Sequence, residues 1–234
     1  MRRPYCWMWI GFVCELMTAA VAWAAGHPSE TLLPRTTTGW LSISNYSVMD
    51  EHWKQTQLGQ LIADPVMEPF AKDTRAQFHK RWSKVRDRLG VGLDDLKGIP
   101  GGEVAVALIE PGPNQSATAL LCDVTGHVEA ANALLAKAKK NLLQQGATES
   151  QAMLGGVTLL VFNLPPPVPT AGGPAAAAGA LRQTVYFLAG NLLGASDNLA
   201  VTQGIVRRLA GAQGGSLAEL TGYQMVMKRC AADA

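Results

Sequence analysis

The side chains able to do chemistry are few and scattered. Four histidines, His27, His52, His79 and His127, stand far apart, and none has a second ligand at the helical spacing that lets two imidazoles reach one metal ion. No Cys-x-x-Cys occurs, so thiol–disulfide exchange has no motif, and no metal site is expected. No Gly-x-x-x-x-Gly-Lys loop is present to cradle a phosphate, and Gly90-Val91-Gly92 lacks the third glycine and the preceding strand of a dinucleotide site. No cofactor is therefore implied.

Nucleophile and acid–base arrangements are equally sparse. Gly194-Ala195-Ser196-Asp197-Asn198 approaches a hydrolase elbow, but that sharp strand-to-helix turn needs glycine where Asn198 stands. Ser196 reads better as a helix cap. Asp94 and Asp95 are adjacent, so their side chains diverge, and acids at a helix start need no catalytic purpose. Asp94, Asp95, Ser196 and His127 are the poor best set for a hydrolase assembled from dispersed residues, and no residue is assigned a catalytic role.

One stretch has a strong charge bias. Residues 72–88 carry Lys72, Arg75, Lys80, Arg81, Lys84, Arg86 and Arg88 against Asp73 and Asp87. Lys80, Arg81 and Lys84 are the candidate binding residues for an anionic polymer or lipid. On a helical wheel these charges fan around the exposed arc, as they do on a solvated face. Over the whole chain the formal net charge is only +2, so no global field gathers polyanions and nucleic acid is not an expected partner.

The elements that must position these groups begin with an address. Arg2-Arg3, an apolar stretch from Trp7 broken once by Glu15, and Ala22-Trp23-Ala24 form a signal peptide with a small-x-small cleavage pattern. Cleavage is expected after Ala24, leaving Ala25 first and exporting the chain to the periplasm, envelope or medium. An uncleaved membrane anchor is the alternative. Cys122 and Cys230 would then remain in an oxidising compartment, either as a pair or as a buried strand thiol and an unrelated one. Asn45-Tyr46-Ser47 and Asn114-Gln115-Ser116 match the glycosylation acceptor pattern.

At 234 residues with 48% hydrophobic content, the chain is long enough for a substantial core. Residues 25–38 are polar and contain proline, reading as a tether. A core domain follows over 39–163. Trp40-Leu41-Ser42-Ile43-Ser44 alternates like a half-buried strand, and residues 47–50 supply caps for one helix carrying Met49, Trp53, Leu58, Leu61 and Ile62 on a broad face. Asp64-Pro65 restarts the chain as N-cap and first helical residue, and the next helix runs toward Leu89.

The centre of the chain is a pair of apolar runs, 104–109 and 117–122, joined by Pro111-Gly112-Pro113-Asn114 as an antiparallel hairpin. Thr125 is placed to cap a helix ending near Gly146. Residues 151–153 suggest an edge strand, and residues 157–162 a firmer one. The Pro/Ala/Gly-rich segment 164–181 has nothing large to bury and reads as a loop. Residues 182–234 continue the sheet from Val185, then add a helix capped by Ser196. A last helix opens with the capping-box form Ser216-Leu217-Ala218-Glu219 and has Tyr223, Val226 and Met227 in want of a partner. The expected class is α+β, a largely antiparallel sheet with helices mainly on one face.

Leu33-Pro34, the stretch from Trp53 to Leu61 followed by Asp64-Pro65, Gly90-Val91-Gly92-Leu93-Asp94-Asp95-Leu96 and Gly102-Glu103-Val104-Ala105-Val106-Ala107-Leu108 together resemble an exported bacterial family catalogued as a domain of unknown function. The resemblance covers roughly residues 32–162 and, more weakly, 183–229. It implies no catalytic residues. Members are usually longer, so it also implies that the chain is a fragment in which residues 216–234 lack their partner. The functional expectation is a non-enzymatic exported module, binding or structural, whose partner is an envelope protein or anionic surface polymer.

Overall fold

A computed structural model describes residues 27–92, 94–165 and 182–232, and within the helices it leaves some side chains undescribed, those of Lys80, Arg81 and Lys84 among them. The signal segment with Ala24 and Ala25, and most of the Pro/Ala/Gly-rich segment, lie outside the described residues. Seven strands, β1 (Thr37–Ile43), β2 (Val104–Ile109), β3 (Ala117–Asp123), β4 (Thr148–Leu154), β5 (Val157–Leu164), β6 (Arg182–Ala189) and β7 (Leu192–Ser196), form one antiparallel sheet. Among the described residues seven helices accompany it: α1 (Ser29–Leu32), α2 (Tyr46–Gln55), α3 (Gln57–Ala63), α4 (Glu68–Leu89), α5 (Val128–Gln144), α6 (Leu199–Leu209) and α7 (Thr221–Ala232). The fold is α+β.

The strand order β1-β2-β3-β7-β6-β5-β4 follows from two meanders built from opposite edges. β1, β2 and β3 run inward from one edge. Helix α5 then crosses the sheet and delivers β4 to the other edge, from which β5, β6 and β7 return until β7 pairs with β3, Leu121 opposite Gly194. The expected edge strand at 151–153 is therefore the middle of β4.

Helices cover both faces of the sheet, not mainly one. The reason lies in the central strands: β3 is buried along Ala117–Cys122 without alternation, and such a strand needs a layer on each side. On one face Ala105, Ala107, Ala119, Leu121, Leu159, Val185 and Phe187 pack against Ile205, Val206 and Leu209 of α6 and against Leu32 and Leu33. On the other, Leu120, Cys122, Phe162, Tyr186 and Leu193 pack against Ala131, Leu134, Ala138 and Leu142 of α5 and Leu89 at the end of α4.

Several local expectations are corrected. Of the expected tether 25–38, the described part, residues 27–38, is not free: Leu32 and Leu33 are each 1% exposed, Leu217 N–H donates to Leu33 O at 2.8 Å, and Pro34 bridges Ser216. Two apolar side chains buried together outweigh the polar character of their neighbours. The single helix expected after residue 47 is two, because Thr56 adopts extended backbone and its hydroxyl caps α3 from Gly59 N–H at 2.9 Å. Asn45, not residues 47–50, caps α2 by accepting from Val48 N–H.

Ser196 and Thr125 do not cap the helices that follow them, and the last helix starts beyond its capping-box pattern. Asn198 caps α6, accepting from Val201 N–H at 3.1 Å, while Ser196 ends β7 and is buried. Thr125 does not cap α5; its hydroxyl donates to Asp123 Oδ1 at 2.6 Å. Residues 216–219 close a 3-10 turn in which Glu219 accepts from Gly215 N–H and Ser216 Oγ, and α7 starts only at Thr221. Asp64 and Pro65 do open a 3-10 turn, Pro65–Met67, as N-cap and first residue.

A candidate binding cleft at the end of the sheet

At the end of the sheet where β2 begins, a cleft of about 390 Å³ opens between β1, α1 and α7. Glu103 is set there by close backbone packing. A Cβ on Gly101 would lie 1.9 Å from Thr125 O, and Gly101 N–H donates to Asp123 O at 2.8 Å, so only glycine lets the chain enter β2 at that point. Period-two alternation places Trp40 and Ser42 of β1 toward the same side, and both line the cleft with Glu103.

The Glu103 carboxylate ties three segments together. Its Oε2 accepts from Ser29 N–H at 3.0 Å, and its Oε1 accepts from Ser29 Oγ at 2.6 Å and from Ser42 Oγ. Trp40 Nε1–H donates to Ser29 Oγ at 3.0 Å. Both serine hydroxyls thus donate to a carboxylate that, with Ser29 N–H, accepts three hydrogen bonds in all. This orients them as struts between α1, β1 and the start of β2.

The opposite wall comes from α7. The Tyr223 ring meets Trp40 edge-on, with centroids 5.7 Å apart and planes at 73°. Burial, the charge of Glu30, a hydrogen bond to Glu30 and the charge of Glu103 push the Tyr223 phenol up to about 12. The last helix is therefore not wholly without a partner, although Met225, Val226 and Met227 remain exposed. Glu30, Glu103 and Asp123 all line the cleft, and among the described residues no lysine or arginine does. Apolar wall comes from Leu121, Leu192, Leu209 and Met227.

No family model, no curated protein and no solved structure matches this chain. What the cleft can do must be read from its own residues. Carboxylates around two aromatic rings and an apolar floor suit a small organic cation, whose charge the acids neutralise and whose body the rings cover.

The residues singled out from sequence lie elsewhere. Asp95 sits in the 3-10 turn Asp94–Leu96, where its Oδ1 accepts from Lys137 Nζ at 2.8 Å and its Oδ2 from Gly92 N–H at 3.0 Å. The side chain of Asp94 lies outside the described ones. Ser196 Oγ accepts from Asn198 N–H at 3.2 Å, and His127 is exposed at the start of α5. None of Asp95, Ser196 and His127 lines the cleft, and no hydrogen bond joins any two of them. Lys80, Arg81 and Lys84 fall on α4, and their side chains lie outside the described ones. Cys122, buried, and Cys230, exposed, are both free thiols, and burial beside Asp123 pushes the Cys122 thiol up to about 12.

Burial pushes the Asp95 carboxyl up, but the Lys137 hydrogen bond, Gly92 N–H and the charges of Lys137 and Arg86 outweigh it and hold the group below its ordinary value. A carboxyl lowered by folding stabilises the fold above its unfolded value, and that contribution disappears as pH falls through the folded one. Asp95→Asn is expected to lower the urea midpoint slightly at neutral pH. The gap from the native chain should close as pH falls through the carboxylate range; a gap that persists would show a role other than charge.

Sequence reasoning missed Glu103, Ser29 and Tyr223 as a group. The available signal was the shared parity of Trp40 and Ser42 in β1 and the entry of an acid, Glu103, into an otherwise apolar strand after two glycines.

Proposed function

We propose that the chain is an exported, non-catalytic binding protein of the bacterial cell envelope, of the kind its motifs resemble, and that its ligand is a small organic cation held in the cleft beneath α7. The observation that carries this reading is the lining itself: Glu30, Glu103 and Asp123 around Trp40 and Tyr223, in a volume of about 390 Å³. A concave, largely apolar site with a few converging polar groups is the ordinary form of a small-ligand pocket. Export rests on Arg2-Arg3, the apolar stretch and Ala22-Trp23-Ala24.

The test is a thermal-shift and calorimetric titration with primary and quaternary alkyl- and arylammonium ions, beside the isosteric alcohols and carboxylates. The ammonium compounds should raise the midpoint, as any ligand that prefers the native state must, and the isosteres should not. Glu30→Gln, which removes a charge while leaving the Glu103 donors in place, should weaken binding about fivefold, the scale of one partly solvated charge contact. Equal response to the alcohols, or no response to any ammonium ion, would reject the reading. Sequencing of the purified protein from its N-terminus should begin at Ala25, and an intact Met1 would count against cleavage.

A further inference from the structure

A second surface stands apart from the cleft and does not depend on it. α2, α3, the turn Pro65–Met67 and the start of α4 form an arm whose members touch chiefly one another: α3 meets α2, the turn and α4, while α4 reaches β3, β6 and β7 at the end that carries buried Leu89. Large apolar side chains are left in water along this arm. Val66 is 84% exposed, Phe70 57%, Leu58 52%, Leu61 49% and Trp53 43%. So many within so short a stretch mark a surface that binds something.

The charge of the neighbouring helix says what. α4 carries seven basic and three acidic side chains, a larger excess than the +2 of the entire chain, so the rest of the molecule is net negative. Positive charge is concentrated on the one helix that continues from the apolar turn.

We infer that this arm docks on the surface of an anionic lipid bilayer, its apolar side chains entering the headgroup boundary and the basic groups of α4 remaining among the lipid phosphates. Apolar wedges beside a Lys/Arg-rich helix are the composition of interfacial membrane binding. A protein partner fits less well, because the cores of protein interfaces are depleted in lysine. A second copy would bring two like-charged α4 helices together across a two-fold axis. Nucleic acid would engage the charge but leave Val66, Leu58 and Leu61 without a role, since stacking needs rings.

The test is sedimentation of the full chain with phosphatidylglycerol/phosphatidylcholine vesicles and with pure phosphatidylcholine vesicles. The native chain is compared with Val66→Ser/Phe70→Ser and with Lys80→Gln/Lys84→Gln, so that any binding through the N-terminal apolar stretch is common to all three. The native chain should favour the anionic vesicles about tenfold, and half-molar salt should reduce that preference. Each double variant should lose about tenfold on anionic vesicles while keeping the native circular dichroism and melting temperature, because Val66 and Phe70 are already exposed. Equal partition to both vesicle types, or variants that bind like the native chain, would overturn the inference. So would a native dimer that the serine variant converts to monomer, which would assign the face to a second copy.

Discussion

Phe187→Ala is expected to cost about 3–5 kcal/mol of unfolding free energy, as the removal of a buried ring generally does. Gly194→Ala is expected to cost about 1–3 kcal/mol by overpacking the same spot. The two residues are opposite one another in the β6–β7 pair, and the ring lies over the glycine: a Cβ at position 194 would fall 2.1 Å from Phe187 Cε1 and 2.2 Å from Cζ. Phe187 is 1% exposed among Val185, Leu159 and the α6 side chains, so the ring has nowhere to swing. The decisive measurement is the double variant by urea denaturation. With the ring gone the alanine methyl fits, so Phe187→Ala/Gly194→Ala should be no less stable than Phe187→Ala alone. Additive losses would show that the ring and the glycine are not coupled.

Tyr186→Phe should cost about 1–3 kcal/mol, the penalty of leaving a buried carbonyl without its donor. Tyr186 Oη donates to Leu89 O at 2.5 Å, and Thr184 Oγ1 donates to Arg88 O at 3.0 Å. Two hydroxyls of β6 thus satisfy the terminal carbonyls of α4 and fix that helix end to the sheet. Gly90 follows at φ 67°, the left-handed conformation that ends a helix, and a Cβ there would meet Tyr186 Oη at 2.5 Å. Gly90→Ala should therefore cost at least the roughly 1 kcal/mol of an unfavourable φ, and more through displacement of the phenol.

Because both substitutions disturb one contact, their combined effect on the urea midpoint should fall short of the sum. Burial, and to a lesser degree the charge of Asp95, raises the Tyr186 phenol above its ordinary value. The unfolded chain ionises first, so this residue's contribution is complete below the ordinary phenol value and is lost as pH rises beyond it. Tyr186→Phe should flatten that alkaline loss.

The strands were legible because their side chains carry the signal locally. β2, β3, β5 and β6 stand out as runs of branched and aromatic residues, and the unbroken burial of β3 was implicit in a sequence that does not alternate. A strand without alternation calls for cover on both faces, which a one-sided sheet cannot supply. Helix ends were harder. Asn45, Thr56 and Asn198 cap because of the backbone they adopt, and nearby Ser47, Asp50 and Ser196 offered equivalent oxygens.

The arm shows the limit of periodicity. Trp53, Leu58 and Leu61 recur as a buried face should, yet they are exposed, because spacing reports an amphipathic helix and is silent on what covers it. The cleft was hidden for a different reason. Glu103 joins Ser29 and Ser42 across 74 and 61 residues, and contacts at that range leave no trace in a local window.

The seam between β3 and β7 has a consequence for biosynthesis. Each meander can assemble as its strands leave the ribosome, but the inner edge of the first stays open until Leu192–Ser196 has been made and can reach Ala119–Asp123. An unpaired apolar edge is a template for pairing with other chains, and closure across so long an intervening segment is slow. Nascent chains that stop short of β7 should thus be the ones that precipitate or call on chaperones, while those that reach past Leu209, and so also carry the α6 cover of that face, are spared.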